Sequence, residues 1–254
     1  AQPAERSAAE WEAIAQARLA RKEKHSKRGV GKIDKRSADC RRYRMILSYD
    51  GRGFHGWQKQ VPPGEGPLRT IEGVLEECLR PVLAQAVRFW PAGRTDAGVS
   101  ASGQVCQFDA LPPAIPEAGL CEAFNAALPV DVRILSVSTT HKAFAANECL
   151  WKRYVYTLPG DEAAVRAACR KMDGDGTGGW NSDGGGAADD GAPVQAEAMR
   201  AAAGRLIGRH DFASFQSKGG RATTVRTLHR CAVAAGPAGL VFTLEGDGFL
   251  YNMV

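Results

Sequence analysis

The chain has 254 residues, 44% of them hydrophobic, and a formal net charge of +5 at pH 7. That is enough apolar material for a buried core in one large domain or two small ones. No apolar run approaches the roughly 20 residues of a membrane span, and nothing reads as a signal peptide, so a membrane-free intracellular protein is expected, cytoplasmic or nuclear with an organelle left open. The seven cysteines, Cys40, Cys78, Cys106, Cys121, Cys149, Cys169 and Cys231, form no CxxC pair and lie in apolar segments. They predict reduced core residues rather than a zinc site or a disulfide framework.

Basic residues crowd the start of the chain, among them Arg21, Lys22, Lys24, Lys27 and Arg28, and continue to Arg44. Residues 1–42 therefore read as a basic flexible tail suited to a polyanion, nucleic acid before membrane. Glu5, Glu10 and Glu12 argue against a mitochondrial presequence, and the initial Ala1 points to a processed or cut N-terminus.

Next, "YRMILSYD" from Tyr43 alternates Met45, Leu47 and Tyr49 with Arg44, Ile46 and Ser48, predicting a strand with one better-buried face. Thr70 can cap a helix whose Ile71, Val74, Leu75, Cys78 and Leu79 repeat at helical spacing until Pro81 disturbs it. "VRFW" and "QVCQF" read as strands flanking a glycine-rich loop, Leu120, Phe124 and Leu128 as a second helix, and "VRILSV" as a further strand. A second half repeats the theme: strand "RYVYTL", a helix carrying Met199, Ala202, Ala203, Leu206 and Ile207, then strands "LHRCAVAA" and "LVFTLEG". This interleaving predicts an α+β fold of two related halves, 43–140 and 141–254, with helices on one face of the sheet.

Between the strand and helix of the second half, residues 160–194 contain "DGDGTGGWNSDGGGAADDG". Such a Gly/Asp stretch buries little and reads as a flexible insert. Asp173, Asp175 and Thr177 fit the DxDGT pattern of phosphotransferases with a nucleophilic aspartate, but no hydrophobic strand precedes them. The same stretch starts like a calcium loop, yet Gly184 stands where a bidentate Glu is required.

The loop "GRTDAGVSASGQV", residues 93–105, presents one acid, Asp96, two places after Arg94. In extended chain these two point to the same side, and the cation would favour an ionised carboxylate. That carboxylate could be a nucleophile, a base or half of a structural ion pair. Gly93, Gly98 and Gly103 allow turns and close approach of a ligand. A glycosidase would need two carboxylates, and none lies within ten residues of Asp96. Of the other conspicuous segments, "WKRYVY" joins Lys and Arg to aromatics, and "HDFASF" and "GFLYN" add further aromatic rings, the combination that recognition of an unstacked RNA nucleotide requires.

At this loop the sequence resembles the TruA family of tRNA pseudouridine synthases. Four further blocks follow the family's order: "YDGRGFHGWQKQ" from Tyr49, "CLWKRYVY" from Cys149, "GRHDFASF" with the later "RTLHR", and "GDGFLYNMV". The resemblance implies two ferredoxin-like halves forming a central, mostly antiparallel sheet. It implies isomerisation of uridine to pseudouridine in tRNA, typically in the anticodon arm, by a homodimer using neither cofactor nor metal. Asp96 matches the family's nucleophile, whether it attacks the sugar C1′ or generates a glycal. Arg94 would orient that carboxylate, and Tyr154 would stack on the extruded uracil, its hydroxyl assisting loss of the C5 proton. Phe249 and Leu250 read equally as the end of a core strand and as a pocket wall, roles that one packed wall can combine, and Arg44, Lys152, Arg153 and Arg221 are candidate RNA contacts. His55, His141 and His210 show no metal spacing. The family pattern continues past "NMV" with an arginine facing the aspartate and a closing helix, whereas these residues end at Val254. Weak or no turnover is therefore expected of this exact chain. A catalytically impaired RNA-binding protein of the same fold is the alternative.

Overall fold

The computed structural model describes residues 39–159, 196–220, 222–236 and 239–254. Most of the basic tail, the Gly/Asp insert with Asp173, Asp175 and Thr177, and Arg221 lie outside the described residues. The chain divides after Cys149 into two compact units.

In the first unit, β1 (Arg41–Tyr49) buries Tyr43, Met45, Leu47 and Tyr49 and leaves the alternate residues half-exposed, as its period-2 pattern requires. Helix α1 (Ile71–Leu83) starts where the Thr70 hydroxyl accepts from the Gly73 amide at 3.3 Å. Its Ile71, Leu75, Leu79 and Leu83 form a buried i, i+4 stripe. Pro81 does not stop it: the helix runs two residues further and ends on Ala84 in the left-handed region. A proline that close to the end forfeits a single intrahelical bond.

Of "VRFW", only Trp90 joins the short β2 (Trp90–Pro91). Val87 and Phe89 are buried without strand pairing. Pro91, with no amide to donate, sits on an edge strand as proline must. Strand β3 (Ala101–Ala110), helix α2 (Glu117–Ala127) and strand β4 (Val132–Thr140) complete the unit. The order β2-β3-β1-β4, antiparallel throughout, with chain sequence β-α-β-β-α-β, is the ferredoxin-like arrangement. Both helices contribute to one core with the sheet, in which the Phe108 ring stacks on Tyr43 at 4.9 Å. The segment from His141 to Cys149 stays with this unit: Arg42 pairs with Asp109 and donates to the Lys142 and Phe144 carbonyls, and the Gln107 amide oxygen accepts from Ala146.

The second unit has β5 (Lys152–Pro159), α3 (Ala196–Arg205), β6 (Gly208–Asp211), β7 (Val225–Gly236) and β8 (Gly239–Gly246). Its antiparallel sheet runs β5-β8-β7-β6. The opening β-α-β-β order matches the first unit, but β8 lies between β7 and β5, whereas in the first unit β3 meets β1 directly. A hairpin brings β8 onto β7 because sequential strands pair most readily. Helix α3 is shorter than its apolar pattern suggests: it ends at Arg205, Leu206 is half-buried and Ile207 is exposed. Strand β6, starting at Gly208 with φ +113°, carries no apolar alternation that would announce it. The buried cluster of this unit is small, Phe212, Leu228 and Leu250, with Leu206, Phe249 and Met253 against it. The six described cysteines are free thiols, and no helix among the described residues is long and apolar enough to cross a membrane.

Candidate active site

The loop that carries Asp96 joins β2 to β3 and has no strand pairing over residues 92–100. Alternation survives all the same: Arg94 and Asp96 are exposed, and Thr95 between them is turned inward. The Thr95 hydroxyl meets the Tyr49 hydroxyl at 2.9 Å, and its carbonyl accepts from the Trp57 amide at 3.0 Å. Beyond Asp96 the chain reverses, its carbonyl accepting from Val99 at 3.2 Å, with Gly98 at φ +79°. The Gly98 amide donates to the Phe54 carbonyl at 3.2 Å, and the Ser100 hydroxyl accepts from Gly51 at 3.0 Å. On the incoming side, the Gln104 amide donates to the Gly93 carbonyl at 2.6 Å.

The block "YDGRGFHGWQ" is thus the seat of the loop. A Cβ on Gly51 would lie 2.0 Å from the Val99 oxygen, and one on Gly56, at φ +87°, 2.8 Å from the Thr95 oxygen. Both glycines are there for close backbone approach. The seat is held in turn by α1, whose first amides, otherwise without partners, donate to Gly56 and Trp57 carbonyls at 3.1 and 2.9 Å. Beside it Asp50 accepts from Arg52, which with its amide holds the Asp50 carboxyl down at about 2. In the sequence this block stands out only by its resemblance to a family motif, and its supporting role is visible only in the fold. The paired glycines were the available signal.

Among the described residues, neither Asp96 nor Arg94 forms a side-chain hydrogen bond or ion pair. The expected Arg94–Asp96 pair is therefore absent from this arrangement, and the carboxylate is free to meet a ligand. Arg94 also borders a small cleft with Trp57, Glu72, Arg88 and Trp90.

In the second unit, Tyr154 on β5 is half-buried and meets the edge of the Phe249 ring at 5.0 Å. Phe249 follows β8 and is half-buried, whereas Leu250 is a core residue at 5% exposure. Lys152 is half-buried, and Arg153 pairs with Glu245 at 2.8 Å while lying over the Trp151 ring. In the first unit, Arg44 is half-buried on β1, opposite Gln107 and Ser138. His210 contacts the Ile207 carbonyl at 3.0 Å, and the His141 ring accepts from the Ala143 amide. No group of three or more His, Cys, Asp or Glu among the described residues could hold a metal ion.

Comparison with known proteins adds to this geometry. A family model described as tRNA pseudouridine synthase matches residues 202–254. The chain is 40% identical over 216 residues to tRNA pseudouridine synthase A of Frankia casuarinae, covering 84% of this chain and 72% of the relative. It is 37% identical to the protein of that name from Streptomyces griseus, with 84% and 71% covered. The corresponding protein of Neisseria gonorrhoeae is 33% identical, with 86% and 76% covered.

Proposed function

The chain belongs to the tRNA pseudouridine synthase A family, and on that premise we propose that it isomerises uridine to pseudouridine in tRNA with Asp96 as the nucleophile. The observation that supports this role is the exposed Asp96 carboxylate on a turn whose neighbours on both sides are anchored. In the reaction the N1–C1′ bond breaks, uracil turns while bound, C5 bonds to C1′, the C5 proton is lost and N1 takes up a proton in its place. No atom is added or removed overall, so the protein's task is to expose the base, stabilise the separated sugar and hold uracil for its rotation. Extruding a base costs a few kcal/mol. Stacking on an aromatic ring returns about 1–3 kcal/mol per base. Tyr154, its ring edge-on to Phe249, serves as that platform, and Arg94 takes the role of steering the nucleotide toward Asp96. Arg44 and Lys152 contact the RNA backbone. The substrate site is the anticodon arm, the acting form is a homodimer, and the protein works in the compartment that holds tRNA.

The test is tritium release from tRNA labelled at uracil C5. Natural-length wild-type protein is expected to release tritium and its Asp96→Asn variant to release none while binding tRNA with unchanged affinity. Release by Asp96→Asn at the wild-type rate would remove Asp96 from the chemistry. Binding without release by the wild type would favour an RNA-binding protein of the same fold.

A further inference from the structure

Resting on the reading of Asp96 as nucleophile, we infer that the Tyr49 hydroxyl is a positioning group for the reaction, acting through Thr95. Tyr49 ends β1, a strand paired on both sides, with Tyr49 opposite Ala101 on β3 and Val132 on β4. Its ring is buried at 4% exposure and packs near Trp57, centroids 6.2 Å apart. The hydroxyl is thus a point fixed by the sheet. It reaches the Thr95 side chain at 2.9 Å, while the main chain of the same residue is held through its carbonyl by Trp57 at 3.0 Å.

Thr95 is β-branched and stiff about χ1, so holding its hydroxyl and its carbonyl together fixes the backbone on which the next residue stands. That next residue is Asp96, and among the described residues no side-chain hydrogen bond or ion pair orients its carboxylate directly. Its aim follows from the backbone at Thr95 and from the turn beyond it. Displacing a reacting group by about 1 Å can cost a hundredfold in rate. Packing alone does not call for two hydroxyls here, since Phe and Val would fill the same volume. The hydroxyl pair supplies direction.

Steady-state tritium release from C5-labelled tRNA by the natural-length protein tests this, comparing wild type, Tyr49→Phe, Thr95→Val, Thr95→Ser and the double variant Tyr49→Phe/Thr95→Val. Tyr49→Phe and Thr95→Val are each expected to lower kcat about tenfold, equivalent to about 1.4 kcal/mol, with KM and tRNA affinity unchanged because those rest on contacts elsewhere. The double variant should lose no more than either single one, and Thr95→Ser, which keeps the hydroxyl, should retain most of the rate. All are assayed well below their melting temperatures; if Tyr49→Phe does not fold, Thr95→Val and Thr95→Ser carry the comparison. Unchanged kcat in the hydroxyl-less variants, a loss confined to KM, or losses that multiply in the double variant would overturn the inference. Absence of release by the wild type would overturn the functional reading itself, and this inference with it.

Discussion

At the scale of single residues, the glycines under the loop bear as much on Asp96 as its own neighbours do. Gly51 stands where any side chain would drive into the Val99 carbonyl, a backbone atom that cannot swing away. Gly103, in the same loop-and-strand segment, has open space around the position of a Cβ. Gly51→Ala is therefore expected to lower stability by about 1–3 kcal/mol and to depress tritium release by shifting the 99–100 backbone. Gly103→Ala should stay within about 0.5 kcal/mol of wild type. Urea midpoints of the two variants make the comparison, and equal midpoints would contradict the close approach of the two segments.

Among the elements, α1 links packing to the site. Its buried stripe anchors it in the first core, while its first amides end on the Gly56 and Trp57 carbonyls that seat the loop. The Thr70 cap, at 1% exposure, holds that end of the helix. Thr70→Ala should cost about 1 kcal/mol, the usual effect of losing such a cap. A thermal melt would register this as a drop of a few degrees, and an unchanged melting temperature would mean the cap contributes nothing. The mutation should also loosen the seat, so a parallel fall in kcat ties the helix end to the loop.

Over the whole molecule, apolar burial is divided unequally. The first unit has a continuous core from Tyr43 to Val137, whereas the cluster described in the second has three buried members. Strand β8 is half-buried along nearly its whole length, and Val155 and Tyr156 on β5 are 61% and 52% exposed. Few buried apolar contacts mean low local stability. Hydrogen exchange should accordingly protect amides of β1 and β3 more strongly than those of β5 and β8 in the free protein. Equal protection would show that the second unit draws stability from contacts outside its described core.

The local features were legible in the sequence because they depend on neighbours in the chain. The alternation of β1, the Thr70 cap and the Leu75–Leu79 stripe are short-range patterns, and each specifies its element through solvent exclusion or a single capping bond. The glycine-rich loop likewise declared Asp96 and Arg94 as candidates. Other features depended on partners far away in the chain. The edge position of β2, the insertion of β8 between β7 and β5, and the unannounced β6 follow from strand pairing, which no local period encodes. The contact of Tyr49 with Thr95 spans 46 residues, and the fit of Gly51 against Val99 closes a similar distance. The sequence by itself determined which residues could do the chemistry. Only the tertiary structure decided which of them stand exposed and what holds them there, because long-range packing brings the seat and the loop together.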